Sequence, residues 1–310
     1  MGKVSICVPS FNGERFIGSA LNGLRAQTYD DFELVVCDDC STDDTRQVIA
    51  AIRDPRLRLH VSDRRLGLVG NWNRCVELAS GEYIQIFHQD DVLRYDAVAR
   101  LADALDRHPK AGFAFSNAVA IDASDSVIGG HWYPHLPKVD AVFSGQEFFR
   151  LLLTEGNVVP CSSVMMRSSH LHESGFFDER LSYTPDMEMW LRLSIGREVA
   201  YVAEPLLCLR RHQGQESTRF VGRAAEVDEV WQAVRIVFDR QRTEIPDAEG
   251  LYTAALNHLS EWSRMLCMAS LKRGRFGAAW GYALRWTRFR RAKRPRSENL
   301  AHLPAGGMYP

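Results

Sequence analysis

Apolar positions in the first hundred residues alternate between two periods. Short runs rich in β-branched residues predict strands: VSICV (4–8), FELVVC (32–37), LRLHV (57–61) and EYIQIF (82–87). Segments 14–26, 43–53, 71–79 and 94–107 read as helices between them. Strand and helix in turn predict a parallel sheet covered on both faces. The near-continuous apolar strands fit burial on both sides. Ser41 is placed to cap a helix starting near Thr42, with Asp43 and Asp44 near its positive end. Pro109 ends the helix holding Leu101 and Leu105.

The rhythm changes after Gly112. GFAFSNAVAID predicts one or two strands, and 129–145 reads as a loop. A helix is predicted from Gln146 to Leu153, a strand at SSVMMR and a helix over 186–195, with Met189, Trp190 and Leu193 facing inward. VAYVAEP returns to a strand. From Val221 the pattern is helical, interrupted near Pro246, and the final LAHLPAGGMYP reads as a loose tail. The expected fold is α/β. A Rossmann-like, mostly parallel sheet with helices on both faces spans 1–220, and a helical region spans 221–310.

The 310 residues carry a formal net charge of -1, so no global field points to nucleic acid. Seven scattered cysteines lie mostly in apolar runs, which suits reduced thiols in a reducing compartment. Cys37 and Cys40 form a C-x-x-C, but no second pair completes a zinc site. The opening KVSICVPS lacks the long apolar core of a signal peptide, and no apolar run approaches a membrane span. The expected location is the cytoplasm.

In an open α/β sheet, ligands bind beyond the carboxyl ends of the strands. PSFNGE follows the first strand, DDCSTDD the second and HQDD the fourth, while YTPDME precedes a later helix. A strand ending in Asp90 and Asp91 places two like charges together, and burying either unpaired is costly. The plain reading is a turn, where Asp is common. Against it, Asp38 and Asp39 do the same two strands earlier. Mg²⁺ or Mn²⁺ with substrate phosphates would relieve the repulsion.

Five blocks now stand in order: VSICVPSFNGERFI, FELVVCDDCSTDDT, GNWNRCVELASGEYIQIFHQDD, YTPDMEMWLRL and LRRHQGQEST. Over residues 3–218 they resemble the family 2 glycosyltransferases, inverting enzymes of GT-A fold that use nucleotide-activated sugars. The third block resembles bacterial surface-polysaccharide transferases in particular. The resemblance implies that Pro9, Phe11 and Glu14 hold the nucleotide and that Asp39 accepts from a base N–H, uracil being favoured. It assigns Asp90 to the ribose side or metal edge and Asp91 to the metal. Asp38 reads instead as a charge near the following helix. The family's usual DxD is Gln89-Asp90-Asp91 here. Asp186 matches the general base, preceded by Pro185 where relatives often have an acid. Glu188 is the rival base, and capping of its helix is the plain role for Asp186.

His212 resembles a late metal or diphosphate ligand. Arg210 and Arg211 beside it suit a phosphate clamp. Asn73 and Asn71 resemble donor-loop residues, with helix capping equally good for Asn71. His88 reads as structural. The implied partners are a nucleotide-sugar donor and a glycan or lipid-linked acceptor.

Residues 262–297 contain no Asp or Glu but many Lys and Arg, including Lys272, Arg273, Arg275, Lys293, Arg294 and Arg296. Phe276, Trp280 and Leu284 recur every fourth residue. Such a stripe either packs on the catalytic domain or lies on an anionic membrane surface. Two other functions compete with sugar transfer. A nucleotidyltransferase would want a Gly-rich phosphate loop, and PSFNGE has one Gly. The other is an inactive nucleotide-sugar-binding scaffold of the same fold.

Overall fold

The computed structural model describes residues 3–131, Tyr133 and residues 136–292. The chain runs β1 (Val4–Ser10), α1 (Ile17–Arg25), β2 (Phe32–Asp38), α2 (Thr45–Ala51), β3 (Leu57–Val61), α3 (Gly67–Leu78) and β4 (Tyr83–Ile86). A two-residue β5 (Val92–Leu93), α4 (Ala97–Arg107), β6 (Ala111–Ile121), β7 (Val127–His131), β8 (Ala141–Phe143) and α5 (Gly145–Glu155) follow. Next come β9 (Val164–Arg167), α6 (Ser168–Ser174), α7 (Pro185–Ser194) and β10 (Glu198–Arg210). The helices α8 (Ala225–Gln241), α9 (Ala248–Lys272) and α10 (Phe276–Ala292) come last. Lys293, Arg294, Arg296 and the tail from Leu300 lie outside the described residues.

The strands join in the order β3-β2-β1-β4-β9-β6-β10-β5, with β7 on β6 and β8 on β10. β1 lies between β2 and β4 and runs parallel to both. Direction reverses at β9, which is antiparallel to β4 and β6. The sheet is therefore partly mixed: parallel as expected through β3-β2-β1-β4 and between β6 and β10, and antiparallel at β5, β7, β8 and β9. Strands buried on both faces look alike in sequence whichever way they run. The segment 129–145, expected as a loop, contributes β8 and part of β7.

Both faces of the central strands are buried, and the side chains divide by parity. Val4, Ile6 and Val8 of β1 pack under α1 and α4, while Cys7 joins the layer containing Trp72, Phe148 and Trp190. The C-terminal helices extend that second layer: Phe238 meets Phe149 at 5.8 Å, and Phe289 meets Trp231 at 5.6 Å.

Two helix starts differ from the sequence reading, for reasons that shape the site. α2 begins at Thr45, because Ser41 donates its hydroxyl to Asp38 rather than capping. Asp38, the last residue of β2, is wholly buried. α3 begins at Gly67, because Asp39 accepts from the Leu66 and Gly67 N–H groups at 2.6 and 3.0 Å. A carboxylate there satisfies orphan donors at the helix's positive end. Asn71 thus lies inside α3 and caps nothing.

Candidate active site

The carboxyl ends of β1, β2 and β4 open into one cleft of about 1430 Å³, larger than a typical small-molecule pocket needs. Pro9, Phe11, Asp39, Asp90, Asp91, Asp186, Arg211 and His212 all line it. Asp90 and His212, 122 positions apart in the sequence, meet there because β5 pairs with β10. That pairing places the loop before β5 against the loop after β10.

Asp91 sits at the bottom, 1% exposed. Ser162 Oγ donates to its Oδ2 at 2.6 Å, and the Arg210 N–H donates to its Oδ1 at 2.9 Å. Burial pushes its carboxyl up to about 8, and the charge of Asp90 adds to the push. Burial acts upward on Asp90 too, but the His212 hydrogen bond and nearby His88 outweigh it, so Asp90 lies below the usual carboxylate range. His212 Nε2 stands 2.9 Å from Asp90 Oδ2, with its ring against Phe16.

Ligand atoms of His88, Asp90 and Asp91 all lie within 4.8 Å of one another. These residues fit a divalent cation on two grounds. Asp90 and Asp91 set two carboxylates side by side with Asp91 wholly buried, a crowding that a cation relieves, and among the described residues His88 Nε2 is buried with no hydrogen-bond partner. His88, read from sequence as structural, therefore belongs to the converging group. His212, expected as a metal ligand, spends its Nε2 on Asp90 instead.

Asp186 holds the opposite wall. It is the second residue of α7, after Pro185. Its Oδ1 accepts from the Met187 N–H and its Oδ2 from Asn157 Nδ2, each at 2.8 Å. Both bonds favour the ionised form, yet burial outweighs them and raises the pKa. His88 lines the same cleft, and burial lowers its pKa against the pull of the Asp90 and Asp186 charges. A helix N-terminus by itself favours the ionised carboxylate, and at Asp186 burial overrides it.

Four sequence assignments are corrected by these contacts. Glu188 points away from the cleft, fully buried, and makes a bidentate pair with Arg192 at 2.7 and 2.8 Å. It is removed as a rival base. Glu188→Ala strands the buried Arg192 charge, and urea unfolding should show a loss of about 3–5 kcal/mol. Arg210 is 1% exposed and fully committed. It donates to the carbonyls of Asp90 and Asp122 and to the Asp125 carboxylate. It holds the loop in place and is no phosphate clamp. Glu14 accepts from the Asp44 N–H at the start of α2 and does not line the cleft. Asn73 exchanges hydrogen bonds with the backbone of Phe177 at 3.0 and 2.9 Å, away from the cleft.

Other residues were missed. Arg65 lies over the Phe11 ring, 3.2 Å from its centroid, and pairs with Asp39 at 3.2 Å. Its signal was present: a basic pair follows the third strand, at the same sheet edge as the acids. Asn157 had no signal beyond a Gly-Asn loop. Gln89 bonds the Phe11 backbone in both directions, and a Cβ on Gly13 would stand 2.1 Å from its Oε1. Asn71 donates to the carbonyls of Ser10 and Cys37, tying the ends of β1 and β2 together. Its Oδ1 and Trp72 Nε1 are buried on cleft residues without hydrogen-bond partners among the described residues, as expected where a polar ligand completes the set. The seven cysteines are all free, and none joins the His88 group.

The sequence matches the family described as Glycosyl transferase family 2 over residues 5–172. It is 29% identical to the succinoglycan biosynthesis protein ExoO of Rhizobium meliloti, over 70% of this chain and 60% of that protein. It is 37% identical to the Escherichia coli UDP-Glc:alpha-D-GlcNAc-diphosphoundecaprenol beta-1,3-glucosyltransferase WfgD, over 29% of this chain and 35% of that one. The chain thus spans under two thirds of the length of either relative. Staphylococcus aureus TarS 1-349, solved in complex with UDP-GlcNAc, superposes with a TM-score of 0.62 at 17% identity, covering 95% of this chain and 93% of that one. The two chains share the wound-sheet fold, and the chain belongs to glycosyltransferase family 2.

Proposed function

We propose that the protein transfers a sugar from a nucleotide-diphosphate sugar, a UDP-sugar by preference, to a hydroxyl of a glycan or lipid-linked acceptor, with inversion, in polysaccharide biosynthesis. The observation that carries this reading is the cleft itself. One wall gathers His88, Asp90 and Asp91, and the other presents a single buried carboxylate, Asp186. The family and the polysaccharide relatives support it, as does the UDP-sugar bound by a protein of the same fold.

In this reading Pro9, Phe11, Asp39 and Arg65 form the nucleotide end. Asp39 still has free lone pairs for a base N–H, since an ionised carboxylate has about four. Asp90, Asp91 and His88 would hold Mn²⁺ or Mg²⁺, which supplies charge neutralisation for a leaving diphosphate. His212 orients Asp90, and Arg211 faces the same space. Asp186 takes the proton of the acceptor hydroxyl as that oxygen attacks the anomeric carbon, on the face opposite the departing nucleoside diphosphate. Asn157 fixes the carboxylate for this step. The acceptor end lies toward Tyr183, Trp262 and Met265. The reaction belongs in the cytoplasm, where nucleotide sugars are made.

Incubation with Mn²⁺ and a panel of nucleotide sugars tests the reading. One donor should be hydrolysed slowly without acceptor. Inertness toward every donor, with UDP still bound, would favour the scaffold instead.

A further inference from the structure

The hairpin of α9 and α10 turns an apolar face to solvent. Phe276 and Trp280 are 71% and 69% exposed, and Leu284 continues their line one turn on. Ala279, Tyr282 and Phe289 occupy the opposite side of α10 and are buried, with Tyr282 donating to Glu226. The exposed line is therefore not an unfilled core position: α10 already packs through its other face. On α9, Met265, Met268 and Leu271 are exposed along the same hairpin. Met265 also lines the cleft, so the apolar strip runs from the hairpin toward the cleft mouth.

Charge distinguishes what covers this strip. Lys272, Arg273, Arg275, Arg290 and Arg291 are exposed, and none forms an ion pair among the described residues. Arg291 falls on the Phe276 side of α10, at helical spacing from Leu284. No Asp or Glu occurs between Trp262 and Ala292. A second copy meeting this face across a two-fold axis would set like charges against one another. An anionic lipid surface complements both features, with aromatic side chains at headgroup depth and basic groups beside the phosphates.

We propose that the α9–α10 face docks on an anionic bilayer and that a lipid-linked acceptor reaches the cleft from that bilayer, past Met265. The acceptor half of this inference rests on the transferase reading above; the docking half does not.

The test is flotation of the full chain with phosphatidylcholine vesicles, with and without phosphatidylglycerol. The protein should float only with the anionic vesicles. Phe276→Ser with Trp280→Ser should lower the bound fraction at least about tenfold, and charge reversal at Lys272, Arg273 and Arg275 should do the same. Both variants should retain the melting temperature and donor hydrolysis of the parent. Transfer to a vesicle-borne acceptor should fall while transfer to a water-soluble one is kept. Unchanged flotation in the variants, or equal flotation with neutral vesicles, overturns the docking. So does a concentration-dependent dimer that the serine variant abolishes without any lipid binding by the parent. Flotation with no hydrolysis of any donor would sink the transferase reading and leave the docking standing.

Discussion

Asp186→Asn lowers the rate of sugar transfer by about 10²–10⁴-fold, the usual contribution of a positioned base, and leaves donor affinity unchanged. The substitution keeps the shape and one acceptor for the Met187 N–H, but removes the group that can take a proton. Steady-state transfer and UDP-sugar titration separate the two effects. Retained transfer would remove Asp186 from the base role. Glu188 could not replace it, because Arg192 holds that carboxylate inside the core. The parent's pH profile gives a second check. Burial raises the Asp186 pKa, so the ionised base fills only above the ordinary carboxylate range. The acid limb of the parent profile should lie correspondingly high.

Asp91→Asn should abolish metal-dependent UDP affinity while leaving the metal-free protein at least as stable as the parent. Asn fits the space: its carbonyl can accept from the Arg210 N–H, and the Ser162 hydroxyl can turn to accept from its amide. In the parent, saturation at a hundred times Kd stabilises the fold by about 2.7 kcal/mol. That increment should vanish in the variant. The sign of the pH dependence follows from the raised pKa. The unfolded Asp91 ionises near the ordinary carboxylate value of 3.8, whereas the folded one holds its proton to about 8. As pH rises between these values the unfolded state gains, so metal-free stability declines. Asn has no proton to lose and should flatten that decline. Thermal melts at several pH values, with and without Mn²⁺ and UDP, read both outcomes. A variant that keeps the metal-dependent shift would displace Asp91 from the cation site.

The first third of the chain was legible because its signals are local. β3 falls on its predicted residues, and β1, β2 and β4 lie within two residues of theirs. In these strands both faces are apolar and the breaks fall at polar clusters. Helix starts were less legible. Ser41 and Asn71 have the right chemistry to cap, but Asp38 and the Ser10 and Cys37 carbonyls bind them first. Nothing along the chain marks that competition.

The acids at the carboxyl ends of β1, β2 and β4 were readable for a topological reason. In a wound sheet those ends share one edge, so their convergence needs no long-range information. Roles that depend on a partner far along the chain could not be read that way. Arg210 and Arg211 are adjacent and chemically alike, yet one is sealed beneath Asp90 and the other faces the cleft. Glu188 is two residues from Asp186 and on the far side of the same helix, since 200° of rotation separates them. The amino-acid order thus determined the sheet edge and the carboxylates on it. Only tertiary packing decided which polar groups remained available for a ligand, because buried partners consume donors and acceptors before a substrate arrives.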